Sequence, residues 1–199
     1  MQIYTAFSER DDSRLVGGYD GEQYGIAFGY DWRASRTWLF GVYGGYGLSE
    51  VDGNDSSNEQ VEIDTISGGA YMSWFDRYTS WSSTLSFGIS DFEGERIGLA
   101  GTKVTRSHDG FEVGLSSTVD QNITVAKRLI LTPAFDLNFG LYNRDGYTET
   151  GTFGLTVKSK TSYSLNTGLS AKLAAPGQIG RTGVLPYIRT GVWHDFFDD

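Results

Sequence analysis

Apolar residues and small or polar residues alternate with a period of two along most of this chain. From Gln23 to Arg33, Tyr24, Ile26, Phe28, Tyr30 and Trp32 take one phase, and Gln23, Gly25, Ala27, Gly29, Asp31 and Arg33 take the other. That period predicts a strand with one apolar face, and about ten residues is the length that crosses a bilayer when tilted.

The same pattern returns eight more times, with varying strength. A third segment sets Trp38, Phe40, Val42, Tyr46 and Leu48 against Gly41, Tyr43, Gly45 and Gly47. A fifth sets Trp81, Leu85, Phe87 and Ile89 against Ser80, Ser82, Thr84, Ser86, Gly88 and Ser90. In the sixth, Phe111, Val113, Leu115 and Val119 oppose Glu112, Gly114, Ser116, Thr118 and Asp120. In the seventh, Leu129, Leu131, Phe135, Leu137, Phe139 and Leu141 oppose Thr132, Asp136, Asn138 and Gly140. The eighth opposes Tyr163, Leu165, Leu169 and Leu173 to Ser162, Ser164, Asn166, Gly168, Ser170 and Lys172. A fourth (Ile66 to Trp74) and a ninth (Val184 to Val192) are fainter. Ile3 to Ser8 reads as a first strand whose facing the pattern leaves open.

The connections alternate as well. Short turns are predicted at Ala34–Arg36, Asp76–Tyr78 and Ala126–Arg128, with a somewhat longer one from Ala175 to Gly183 around Pro176 and Gly177. Long links are predicted from Glu9 to Gly21, Val51 to Gln60, Glu93 to Gly110 and Asn143 to Lys160. Alternating short and long links fit an antiparallel up-and-down transmembrane β-barrel with short periplasmic turns and long extracellular loops. Tyr24, Ile26, Phe28, Tyr30, Trp32, Leu85, Phe87, Leu137 and Phe139 then face lipid. The charged residues in the opposite phase, Asp31, Arg33, Glu112, Asp120, Asp136, Lys172 and Arg189, line the lumen as ion pairs with water. Pro133 and Pro186 each follow a short turn by a few residues, where a strand tolerates a missing donor.

Composition by itself points elsewhere. With 39% hydrophobic residues and a net charge of -9, the 199 residues look like an acidic soluble domain. The mean hydropathy of -0.31 adds to that impression. Low hydropathy is nevertheless what a barrel gives, because only every second residue meets lipid. No run approaches the ~20 apolar residues of a membrane helix. The 27 glycines and 15% aromatic residues fit open lumens and interfacial girdles. The absence of cysteine removes disulfides and thiol chemistry, and the negative charge argues against nucleic acid.

Catalytic and metal chemistry find little to stand on. Ser107, His108 and Asp109 are adjacent in sequence, which is not the spatial convergence a triad needs. They are expected in a long loop, and His194–Asp195 at a strand end. Asp52–Gly53–Asn54–Asp55 opens like a calcium loop but lacks its glycine position and flanking helices, so it reads as a solvated acidic link together with Glu59. No cofactor, metal site or enzymatic activity is expected.

Nine strands do not close an even-numbered barrel, and Met1 enters the first strand without a signal peptide. The expectation is therefore a single partial barrel over 1–199 with no second domain. A miscounted complete barrel of eight or ten strands, acting as a small porin or structural outer-membrane protein, is the alternative.

Several ordered stretches resemble the translocator β-domain of the classical autotransporters of type V secretion. They are Tyr24–Asp31, Phe40–Tyr46, Ala70–Trp74, Leu85–Phe92, Leu131–Phe135, Asp145–Glu149, Leu185–Arg189 and Trp193–Asp195. The resemblance implies a twelve-stranded barrel in the bacterial outer membrane that exports or displays an N-terminal passenger at the cell surface. It further implies three missing strands, the last ending in an aromatic residue. Implied partners are outer-membrane lipid, the passenger and a linker helix in the lumen, and the outer-membrane assembly machinery. Some members cut their passenger with lumen carboxylates.

Overall fold

A computed structural model describes residues 1–10, 18–54, 59–98 and 101–197. In chain order the strands are β1 (Gln2–Arg10), β2 (Tyr19–Arg33), β3 (Trp38–Gly53), β4 (Gln60–Phe75), β5 (Thr79–Ile97), β6 (Lys103–Gln121) and β7 (Ile123–Ala126). There follow β8 (Leu129–Arg144), β9 (Tyr147–Thr148), β10 (Thr156–Val157), β11 (Lys160–Ala174), β12 (Gly177–Ile179), β13 (Thr182–Val184) and β14 (Tyr187–Asp195). No α-helix occurs among the described residues.

One antiparallel sheet runs β1-β2-β3-β4-β5-β6-β8-β11-β14, each strand beside its predecessor in the chain, with β7 continuing β6 along β8. The nine strands of this path are the nine periodic segments, joined as an up-and-down meander. β9–β10 and β12–β13 are small hairpins within links. β1 and β14 are the two ends of the path and do not pair with each other, so the sheet is not closed.

Register carries the alternation across the sheet, because directly opposed residues of an antiparallel pair share a face. Tyr30 pairs with Val42, which pairs with Ala70, which pairs with Leu85. Leu85 pairs with Leu115, Leu115 with Phe139, and Phe139 with Leu165. This row of apolar side chains lies on one face only. The facing of β1 follows: Ile3 pairs with Ile26 and Phe7 with Glu22, putting Ile3, Thr5 and Phe7 on the apolar side.

That apolar face covers nothing. Val104 and Ala174 are the buried hydrophobic residues among those described, while Phe28, Ile66 and Ile89 are each about two-thirds exposed (65%, 67% and 65%). A water-soluble sheet would bury such a face against a second layer. One end of the apolar band is a row of stacked rings: Tyr30 on Trp32 (6.2 Å between centroids), Trp32 on Phe40 (6.0 Å) and Trp38 on Phe40 (5.6 Å). At the other end the Tyr24 and Tyr46 hydroxyls donate to Glu22 and Asp64, and Asp64, Asp91 and Asp109 stand opposite one another. From Trp32 to Tyr24 is eight residues, about 27 Å along the strand.

The strands are longer than their hydrophobic pattern. β5 and β6 have 19 residues each. Most of the predicted long link from Glu93 to Gly110 is therefore strand, and its turn is closed by Gly98 N–H donating to the Thr102 carbonyl at 2.7 Å. The reason is that backbone pairing continues where both faces have become polar, so the apolar period fades before the ladder does. Asp52 likewise lies in β3 rather than in a loop, and the ninth segment divides into β13, Pro186 and β14. Asp55, and parts of the links after Glu9 and Asn54, fall outside the described residues.

Pro133 pairs with Ala171 on one side and lies opposite the break between β6 and β7 on the other, where no ladder bond is lost. Across that break the Thr132 hydroxyl donates to Asn122 Oδ1 at 2.8 Å. Pro186 precedes β14, and its carbonyl accepts from the Ala175 N–H at 3.0 Å.

Candidate functional site

The face opposite the apolar band is the candidate site. Register puts all seven charged residues singled out there, Asp31, Arg33, Glu112, Asp120, Asp136, Lys172 and Arg189, on this one face. The structure brings some of them together and leaves others apart. Asp136 accepts from the Thr118 hydroxyl at 2.7 Å and lies 3.7 Å from the Arg189 guanidinium, which also donates to Ser170 Oγ at 3.0 Å. Asp120 accepts from Ser80 Oγ at 2.5 Å, and Ser116 donates to Asn138 at 2.8 Å. Lys172 stands directly opposite Arg189. Glu112 lies over Gly88, while Arg33 sits over the Phe75 ring (5.4 Å) in an exposed position, and Asp31 is exposed beside it. The result is a dispersed polar lining of hydroxyls, amides and charges.

Of the nine residues assigned to the apolar face, Tyr24, Ile26, Phe28, Tyr30, Trp32, Leu85 and Phe87 are exposed. Leu137 and Phe139 share that face but are half-buried beneath their neighbours.

Aromatic rings fill the gaps left by glycines on the polar face. Tyr4 lies across Gly25, Tyr71 across Gly41, Tyr43 across Gly69 and Trp193 across Gly168, each ring over its directly opposed partner. The glycines were legible in the sequence as one face of the alternation. Their covering rings were not, because pairing between strands is invisible in a single segment.

A second cluster sits on the same face, beyond the apolar band at the end carrying the long links. Arg96 of β5 grips Glu149 with two hydrogen bonds, Nε to Oε1 at 2.9 Å and Nη2 to Oε2 at 2.5 Å. The Leu155 N–H donates to the same carboxylate at 2.8 Å. The Arg96 hydrogen bond, aided by that amide, holds the Glu149 carboxyl below the ordinary glutamate range despite its burial. His108 is stacked between Phe92 (4.8 Å) and Tyr147 (4.5 Å), and Arg106 pairs with Glu59. Arg106 and Arg144 both flank the Tyr147 ring.

This arrangement corrects the expectation that His108 lies in a loop: it is a strand residue of β6. Strand alternation turns Ser107 and Asp109 to the opposite face from His108, so the three adjacent residues do not converge. His194 and Asp195 likewise point to opposite faces, His194 resting against Phe196 at 4.6 Å. Among the described residues no three His, Cys, Asp or Glu side chains gather as a metal site requires. The sequence signal for the second cluster was present in Asp145–Glu149, but without a structural role attached.

An up-and-down sheet with one bare apolar face, one polar face and alternating link lengths is the architecture of an outer-membrane barrel wall. Residues 1–199 match the family model of the autotransporter β-domain. The chain belongs to that family. Its domains are outer-membrane β-barrels of the translocator type. Among solved structures, the translocator domain of the autotransporter NalP from Neisseria meningitidis is similar in fold, with a TM-score of 0.75 and 18% identity. That match covers 98% of this chain and 66% of the NalP chain. The β-domain of the Bordetella autotransporter BrkA has a TM-score of 0.63 and 19% identity, covering 98% of this chain and 79% of the other. This autotransporter β-domain chain thus spans about two-thirds of the NalP domain's length. No curated protein matches the sequence directly.

Proposed function

We propose that this chain forms most of the wall of an outer-membrane translocator that passes or anchors an N-terminal passenger at the cell surface, with no catalysis of its own. The observation that carries this reading is the bare apolar face. Its extent of about 27 Å along the strand between two girdles suits strands that cross lipid at a tilt. The polar face then lines a wet lumen, where Asp136, Arg189 and their neighbours meet a linker or passenger segment. Short turns face the periplasm and long links face outward. Three further strands close the ring between β14 and β1, since an unpaired edge in lipid leaves backbone groups unsatisfied. The assembly machinery would read the last of them.

The test is completion. Residues 1–199 expressed alone should give no heat-modifiable, protease-resistant barrel. Appending three amphipathic strands that end in an aromatic residue should restore both properties. With an upstream linker and passenger added as well, the passenger should reach the outside of the cell. A closed, stable barrel from the 199 residues alone would favour a small porin instead.

A further inference from the structure

The ladder between β6 and β8 runs with Gly110 opposite Arg144. A few residues further along β6, Thr105 stands opposite Thr150, joined by backbone hydrogen bonds of 3.0 and 2.8 Å in the two directions. The link side has gained one residue over that distance, and it falls at Asp145–Gly146, where the Asp145 N–H donates to the Asp109 carbonyl at 2.9 Å. This is a bulge, and an extra residue exchanges the two phases of a strand. Before it the even-numbered residues of β8 point inward. After it the odd-numbered ones do, so Tyr147 meets His108 and Glu149 meets Arg96, while Thr148 and Thr150 are turned outward.

We propose that Glu149 is a positioning residue: clamped by Arg96, it fastens the link between β8 and β11 to the wall and keeps that link out of the exit path. The inference rests on the translocator reading. The pair has the character of a fastener. It is two-pronged, and the Glu149 side chain is 3% exposed and that of Arg96 20%. A buried carboxylate held this way cannot shed its partner without leaving an uncompensated charge. Unfastened, a link of this length reaches tens of ångströms, at about 3.3–3.6 Å per residue, and could fall across the mouth. It carries apolar side chains that would favour doing so, since Phe153 and Leu155 are 64% and 58% exposed.

The test uses the full-length protein. Link opening is read in detergent by protease nicking between Gly151 and Leu155, and exit by the rate at which passenger reaches the cell surface. E149Q should raise nicking by about tenfold or more and slow passenger arrival. The exchange T148E/E149T keeps composition and charge but turns the carboxylate outward, and it should act in the same way. An oxidised T105C/T150C pair in the E149Q background should restore both readouts, the 199 residues themselves holding no cysteine. Heat-modifiable migration shows which variants have folded. If E149Q does not fold, R96K, which keeps the charge but loses the two-pronged grip, should give intermediate nicking. Wild-type nicking in a folded variant overturns the latch, and so does fast nicking with unimpaired arrival. If the wild-type protein brings no passenger to the surface, the translocator reading fails, and the nicking series still decides the latch.

Discussion

Tyr71 of β4 covers Gly41 of β3, the residue directly opposed to it, and a Cβ added at Gly41 would lie 2.1 Å from the Cζ of the tyrosine ring. Gly41→Ala should therefore force Tyr71 out of its place and destabilise the barrel by about 1–3 kcal/mol, as overpacking does elsewhere. In the double variant Gly41→Ala/Tyr71→Ser the loss should be clearly less than the sum of the two single changes. Urea unfolding in detergent of the completed barrel would measure the cycle. Strict additivity would mean that the ring and the glycine are not coupled.

The two faces should respond differently to charge. Phe28 points away from the polar face and is 65% exposed, so Phe28→Arg near the middle of the band should cost about 2–4 kcal/mol in lipid. Ser86→Arg, on the polar face, should cost less, because a lumen arginine keeps its water. Reversible unfolding in lipid vesicles compares the two, and equal penalties would contradict the assignment of faces.

Orientation is open to chemical labelling. Single cysteines at Asn54, Gly101 and Thr152, in the long links, should react with an impermeant thiol reagent on intact cells. Cysteines at Ser35, Asp76 and Lys127, in the short turns, should react only after the outer membrane is breached. The opposite pattern would invert the topology.

The Glu149 contact should depend on acid. Its carboxyl is held below the ordinary glutamate range, chiefly by Arg96, with Arg106 and the Leu155 amide also facing it. A lowered folded-state pKa gives stability that is fully present above the unfolded glutamate value of about 4.3 and is lost as pH falls through the folded value. Hydrogen exchange at the amides of Glu149, Thr150 and Leu155, corrected for intrinsic rates, should show steady protection from pH 5 to 8 and increased opening below about pH 4. In E149Q the same amides should open to the same extent across the whole range.

Much of the wall was legible in the chain. Alternation in β2, β3, β5, β6, β8 and β11 marks both the strands and their faces, because a sheet between lipid and water sorts side chains with a period of two. Link lengths mark the meander. Where both faces turn polar, as from Asp91 to Gly110, the pattern stops although the hydrogen-bonded ladder does not, and that stretch looks like a loop.

Sequence by itself determined the strand order, the apolar band and the family, since all three depend on local periodicity and ordered motifs. Only the tertiary structure decided register and what register brings together: Ile3 beside Ile26, Tyr71 over Gly41 and Arg189 within reach of Asp136. It also decided the bulge at Asp145–Gly146 that turns Glu149 toward Arg96. The reason is that a side chain's facing follows from its own strand, whereas its partner depends on how neighbouring strands slide and where one of them gains a residue.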